Sequence, residues 1–423
     1  MKQRVVITGL GIAAPNGVGI PAFTEALKNG TSGIQHFPEL EDLKFSCQVG
    51  GVPIISEEKK REYFTELQLR NFNSSGILYG VIAGMDAIRD AKVEISETEP
   101  NWDLGIVFGT GTSGVDKFRE AIYKVDEQNV RRLGSTTVVQ TMASGISAYL
   151  GGMTGAANVV TTNSSACATG TEAILMGYER IASGKATQML CGSTSDHGPY
   201  LWGGFDAMKV ITYKHNDEPE KASRPMSATA SGFVPGSGAG ALLLESLESA
   251  QKRGATIYAE ILGGHVNSGG QRAGGSMTAP NSEAVQRCIK NAMLDAGIIA
   301  DEIDYINGHL TATIKDPDEI QNWCAALHRK GNDFPYINSL KGMVGHCLAA
   351  SGSMEVVSTI LQMKEGFVFP NVNCEDVHPE ISSLVASEKM PQQKISANIT
   401  TAIKASFGFG DVNACMVFRK YTG

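Results

Sequence analysis

One pattern constrains the fold of this chain more than any other. Short apolar runs alternate with amphipathic ones, and the alternation starts twice. It opens with the β-prone run at residues 4–8, which leads into Gly9-Leu10-Gly11, and begins again near Ala255, where residues 257–262 lead into Gly263-Gly264. Between the two starts lie apolar strand-like runs at residues 104–108, 189–192 and 238–244. Helical spacing of 3–4 marks residues 21–28, 67–91, 171–182 and 245–253. After the second start come a helix over 282–296, strands at 305–306 and 335–337, a helix over 352–363 and a closing strand at 414–419. Fully apolar strands between helices belong to parallel sheets covered on both faces, so the expected class is α/β. The repeated order suggests two duplicated halves, residues 1–255 and 256–423. With 42% hydrophobic residues in 423, a sizeable core is available. Residues 214–231 are polar and proline-containing and read as a surface loop.

Composition excludes several classes of function. The net charge is 36 − 44 = −8, which argues against a polyanion such as nucleic acid as the main partner. No run approaches the roughly 18 apolar residues of a membrane span. Residues 4–8 read as a strand, and a secretory signal, which would need a longer apolar stretch and a cleavage site, is not expected. Its eight cysteines form no C-x-x-C pair, which speaks against zinc or redox motifs and for free thiols in a reducing cytoplasm. No metal and no bound cofactor are expected. Gly9 to Ala14 has the form G-x-G-x-x-A, but Pro15-Asn16-Gly17 follows where a dinucleotide site opens a helix. The glycine-rich stretch from Gly109 to Gly114 reads either as a phosphate cradle or as close backbone packing beside a site, and it lacks the Gly-Lys-Ser/Thr of a P-loop.

Chemistry concentrates in three stretches. Thr161-Thr162-Asn163-Ser164-Ser165-Ala166-Cys167-Ala168-Thr169-Gly170 follows an apolar run and precedes a helix, so Cys167 falls in a tight strand-to-helix turn. The unpaired N–H groups and positive dipole of a helix N-terminus favour a thiolate there. Cys167 therefore reads as a nucleophile, or else as a buried structural thiol. Two histidines stand just after strands, His309 in Asn307-Gly308-His309-Leu310-Thr311-Ala312-Thr313 and His346 in Val344-Gly345-His346, with Lys341 five residues earlier. The C-terminal ends of strands are where sites collect in α/β sheets.

With these stretches go Ser223-Arg224-Pro225, Gly232-Phe233-Val234, Gly238-Ala239-Gly240, Ala349-Ala350-Ser351-Gly352, Ser406-Phe407-Gly408-Phe409-Gly410 and Asn413. In this order, over essentially the whole chain, they resemble an elongating β-ketoacyl-acyl-carrier-protein synthase, one of the thiolase-like condensing enzymes. The resemblance implies a five-layer αβαβα fold and a dimer. It also implies acyl transfer to Cys167, followed by decarboxylative Claisen condensation with a malonyl thioester. His309 and His346 would hydrogen-bond the malonyl thioester oxygen. Lys341 would orient them electrostatically, and backbone N–H groups of Cys167 and Phe409 would form the oxyanion hole. Asp316 and Glu319 would support the first histidine loop. Thr311, Thr313 and Thr278 would bind the phosphopantetheine arm. Phe409 would gate the acyl pocket, which Phe407 and, at its depth, Thr112 would line. Arg70, Arg131, Arg132 and Lys209 would dock an acidic acyl carrier protein, or are ordinary surface charges.

The chain departs from the family pattern at particular places. Leu310 stands where the family has Gly, and one residue is missing between Thr313 and Asp316. Ala230-Ser231 replaces Arg-Asp, Ser237 replaces an acidic residue, and Asp411 puts a charge beside the gating loop. These changes fit a specialised condensing enzyme, such as the ketosynthase subunit of a type II polyketide or polyene pathway. Its partner would then be a chain-length-factor paralogue in place of a second copy. A cysteine acyl-hydrolase would need a third orienting group, and a non-catalytic partner subunit would lack the nucleophile. A thiolase would need a second cysteine near the C-terminus, where Cys415 reads as core.

Overall fold

The computed structural model describes residues 2–423, and in it the two halves share one topology. The first half contributes strands Val5–Ala14, Leu104–Thr110, Val160–Thr161, Gln188–Ser195 and Gly238–Ser246. The second contributes Ala259–Ser268, Tyr305–Asn307, Tyr336–Asn338, Thr401–Gly408 and Val412–Lys420. Numbered within each half, both lie in the order 1-5-4-2-3. The 1-5 and 5-4 pairs are antiparallel and the 4-2 and 2-3 pairs parallel, in both halves. The two first strands pair with each other, Val5 opposite Ile261 and Ile7 opposite Ala259, and join the halves into one sheet.

Helices Thr169–Ala182 and Ser351–Glu365 pack on each other and touch strands of both halves, which makes them the middle layer. Ser75–Asp90 and Gly145–Thr154 cover the outer face of the first half, and Ser282–Ala296, with Asp316–Leu327 against it, covers that of the second. The result is the five-layer αβαβα arrangement. Successive strand residues face opposite layers. Leu242 and Leu244 enter the central core with Ile174 and Val357, whereas Leu243 joins Ile77 and Val81 outside. In the second half Met416 points inward and Val417 outward, toward Val285 and Ile289.

Several sequence expectations are corrected. The strand expected over 4–8 runs on from Val5 through Gly9 and Gly11 to Ala14, and, as Pro15-Asn16-Gly17 implied, the G-x-G-x-x-A stretch forms no nucleotide turn. A Cβ on Gly9 or Gly11 would overlap the carbonyl of Ala87 or Ala83 in helix Ser75–Asp90. Gly263 plays the equivalent part against Asp295 and Ala296, and its strand also reads on, to Ser268. The glycines admit the outer helices. The helical reading of 67–91 breaks into Glu66–Leu69 and Ser75–Asp90, because the Asn73 N–H and the Asn71 carbonyl bond to Gln140 instead of to a helix. The helical reading of 245–253 starts late, at Leu247, because Glu245 stays in the strand and turns inward to Arg253 at 2.7 Å. The loop at 214–231 is surface only in part. Ser223, Arg224 and Met226 are buried, with Arg224 held by Glu375 at 2.6 Å and Asp376 at 2.9 Å. Strand Thr401–Gly408 was not expected as a strand, since Lys404 interrupts its apolar run.

Candidate active site

Cys167 occupies the turn its sequence implied. Ser165 and Cys167 bridge across Ala166, whose φ of 48° is in the left-handed region, and helix Thr169–Ala182 begins two residues on. Small side chains permit this bend, and Thr169 clips it: its hydroxyl accepts from the Ser165 N–H at 2.8 Å and donates to the Ala166 carbonyl at 2.7 Å. Cys167 is partly exposed while the other seven cysteines are buried. Burial pushes its thiol up to about 11, against the Lys341 ammonium and the N–H groups of Phe409 and of Cys167 itself. The helix N-terminus therefore does not by itself deliver a thiolate, because desolvation outweighs it. Those same two N–H groups, which act on the thiol, are the pair expected for an oxyanion hole.

The histidine loops leave neighbouring parallel strands, Tyr305–Asn307 and Tyr336–Asn338, from the same edge of the sheet. Two carboxylates strap down the first loop. Glu319 accepts from the N–H groups of His309 and Leu310, both at 2.7 Å, and Asp316 from those of Thr311 at 2.9 Å and Ala312 at 3.1 Å. This holds Leu310 and Ala312 at φ values of 23° and 62°. The missing residue ahead of Asp316 does not prevent these bonds. Lys341 donates to the His309 carbonyl at 2.6 Å and pairs with the buried Glu355, which also faces Lys404 at 2.9 Å.

His346 accepts from the Leu348 N–H through Nδ1 at 3.2 Å, with the Ser351 hydroxyl 3.0 Å from the same nitrogen. A neutral imidazole accepting at Nδ1 carries its proton on Nε2. Burial first, then the Lys341 ammonium, holds both histidines well below the usual range, with His346 and Lys404 adding to the effect on His309 and Lys404 to that on His346. Both are therefore neutral at physiological pH. The Cys167 sulfur and one ring nitrogen of each histidine lie within 4.8 Å of one another. That spacing would suit a soft cation, but with Nδ1 committed, the free nitrogen of His346 is a donor and not a ligand.

Cys167, His309 and His346 line a pocket of about 400 Å³ together with Thr278, Thr311, Thr313, Phe407, Phe409, Asp316, Glu319 and Lys209. A wider cleft of about 600 Å³ beside helices Val115–Asp126 and Pro199–Ala207 contains none of the reactive groups. Thr112 is exposed beyond the end of strand Leu104–Thr110 and lies outside the pocket lining, so one chain does not place it at the pocket's depth. Arg70, Arg131 and Arg132 are also outside the pocket. With Lys209 they are exposed, and among the described residues none of the four is in a salt bridge. Cys415 is fully buried in its strand, away from the pocket. Asp411 does not face the pocket; its carboxylate accepts from the Gln271 and Asn281 N–H groups at 2.9 and 2.8 Å and ties down the loop that carries Thr278. Glu355, Lys404 and Leu348 were not singled out from the sequence, and Ser351 was read only as part of the Ala349-Ala350-Ser351-Gly352 motif. A charge inside an apolar run, as in Met354-Glu355-Val356 or Ile403-Lys404-Ala405, was the available signal.

The chain is similar to known proteins along essentially its whole length. The family described as beta-ketoacyl synthase, N-terminal domain, matches residues 2–250, and its C-terminal domain matches residues 258–375. The chain is 34% identical to 3-oxoacyl-[acyl-carrier-protein] synthase 1 of Haemophilus influenzae, with all of both chains covered. It superposes on a ketosynthase solved with its type II polyketide acyl-carrier protein and bound to a hexaketide, at a TM-score of 0.86, 28% identity and full coverage of both chains. It also superposes on the ishigamide ketosynthase/chain length factor, at a TM-score of 0.87, 25% identity and full coverage of both. The chain belongs to the β-ketoacyl synthase family, the thiolase-like condensing acyltransferases.

Proposed function

We propose that the protein is a β-ketoacyl-acyl-carrier-protein synthase that lengthens a fatty-acyl or polyketide chain by two carbons. The observation that carries this reading is the convergence of one sulfur, two neutral imidazoles and two backbone N–H groups at the inner wall of one pocket. In the first step the Cys167 sulfur attacks an acyl-carrier thioester, and the proton it gives up ends on the departing pantetheine sulfur. The Cys167 and Phe409 N–H groups stabilise the oxyanion. A malonyl thioester then enters past Thr278, Thr311 and Thr313. His309 and His346 donate hydrogen bonds to its carbonyl oxygen, and carbon dioxide leaves as the enolate forms. The enolate carbon attacks the acyl-Cys167 carbonyl and expels the thiolate. Loss of carbon dioxide generates the carbon nucleophile, so neither a strong base nor a bound cofactor is called for. Residues 1–255 supply the nucleophile in this scheme, and residues 256–423 the histidines and the Phe409 loop.

The partners follow from the same reading. The unpaired cations Arg70, Arg131, Arg132 and Lys209 suit an acidic carrier protein. Edge strand Val160–Thr161 ends the sheet, and helices Gly145–Thr154, Thr137–Thr141 and Val115–Asp126 pack in series beside it. Exposed Val160, Val138, Phe118 and Ile122 make that side a face for a second ketosynthase-like chain. The polyketide neighbours favour a chain-length-factor paralogue there as a second reading, with a second copy of this chain as the first. No helix among the described residues is long and apolar enough to cross a membrane, and the proposed compartment is the cytoplasm. Intact-mass measurement after incubation with acyl-carrier protein is expected to show one acyl adduct, absent from Cys167→Ala. An adduct retained by that variant contradicts the reading.

A further inference from the structure

Lys404 is completely buried, and no step above employs it. It lies in strand Thr401–Gly408, directly opposite Asn307, two residues ahead of His309. Its ammonium nitrogen is surrounded by the Ala405 carbonyl, the Ser406 hydroxyl at 3.1 Å and Glu355 Oε2 at 2.9 Å. The first two accept hydrogen bonds from it, and Glu355 Oε2 faces it as an ion-pair partner whose charge opposes the lowering that burial imposes on the amine. Glu355 Oε1 already carries Lys341. One lysine would suffice to neutralise this carboxylate, and a second buried ammonium leaves an excess positive charge where isolated charges are costly. The connections run further. Ser406 Oγ is 2.9 Å from Thr171 Oγ1, in the first turn of the helix that Cys167 precedes, and the strand continues into the Phe407–Phe409 loop.

We propose that Lys404 is a second electrostatic positioning residue of the condensation site, which shares Glu355 with Lys341 and uses the excess positive charge to hold His309 and His346 neutral. This rests on the condensation reading above. The charged and titratable groups that face the cluster are Glu355 and Glu319 on the acidic side, Lys341 on the basic side, Cys167 with the two histidines, and the buried Cys415, Cys347 and Tyr305. Lys404 depresses the proton affinity of both rings, in addition to burial and Lys341. Neutrality has a chemical purpose. An imidazolium would stabilise the malonyl carboxylate before reaction and so oppose its loss, whereas a neutral N–H serves the enolate oxygen.

The test follows the histidine rings by ¹⁵N NMR in histidine-labelled protein, with His309→Ala and His346→Ala spectra for assignment. The pH profile of carbon dioxide release from malonyl-carrier protein is recorded beside it. Lys404→Met removes the charge at similar length, Lys404→Gln does so with a polar end should the Met chain not fold, and Lys404→Arg keeps the charge. In the uncharged variants the rings are expected to take up a proton about one pH unit higher than in wild type. The acid limb of kcat should move with them, KM should stay within about twofold, and Lys404→Arg should retain the wild-type profile. An uncharged, folded variant whose rings titrate as in wild type overturns the proposal, as does Lys404→Arg titrating like Lys404→Met. A purely structural role predicts loss of kcat at all pH values alike. Ring titration needs no turnover, so a wild-type protein that releases no carbon dioxide defeats the condensation reading separately.

Discussion

At Leu310 a branched side chain sits where the backbone has a φ of 23°, and it is fully buried. The cost of that conformation is met by Glu319 and Asp316, which take the N–H groups of four consecutive residues, His309 to Ala312. Burial raises Glu319 to about 7 from an ordinary value of 4.5. A carboxyl with a folded-state value above its unfolded one holds extra protons in the folded state. Its contribution to stability is present below about 4.5 and is lost as pH rises toward about 7. Glu319→Gln removes that slope and turns one acceptor into a donor facing an N–H. It is expected to cost roughly 2 kcal/mol and to slow condensation about tenfold. Denaturant melts at pH 5 and pH 7.5 check it, with wild type losing more stability than the variant over that interval. At this scale the sequence disclosed the three groups that meet in the pocket, because Cys167, His309 and His346 sit in small-residue turns. It concealed Glu355 and Lys404. A buried charge has the same letter as a solvated one, and only the fold reveals that Glu355 lies on a helix whose residues Ser351 through Met363 are all buried.

Among the elements, long strands and their covering helices were legible, because a strand buried on both faces reads as an unbroken apolar run. The glycines were harder. In sequence Gly9 and Gly11 mimic a nucleotide-binding turn, and in the fold they let helix Ser75–Asp90 approach strand Val5–Ala14, as Gly263 does for helix Ser282–Ala296. Gly11→Ala would press a methyl group on the Ala83 carbonyl. Backbone cannot yield as a flexible side chain does, so a loss of about 2–3 kcal/mol is expected, read as a lower denaturant midpoint with unchanged m-value. A dinucleotide turn would instead leave that side of the glycine open. Asp411 was legible as a charge near the Phe409 loop but not as a clasp. Its N–H acceptor role depends on residues 140 and 130 positions away, Gln271 and Asn281.

Over the whole molecule, the proposed reaction is divided between two copies of one topology. The first strand of each half forms the seam, and the reactive groups come from loops that meet across the middle layer. Duplication was visible as a restart near Ala255. The shared 1-5-4-2-3 order was not, because Val160–Thr161 and Tyr336–Asn338 are too short to leave a period in the sequence. The central claim is that sulfur and histidines serve successive half-reactions. Carbon dioxide release from malonyl-carrier protein, measured together with formation of the lengthened ketoacyl product, separates them. Cys167→Ala is expected to release carbon dioxide and form no product, whereas His309→Ala is expected to release none above background. Release at the wild-type rate from His309→Ala would contradict that division of labour.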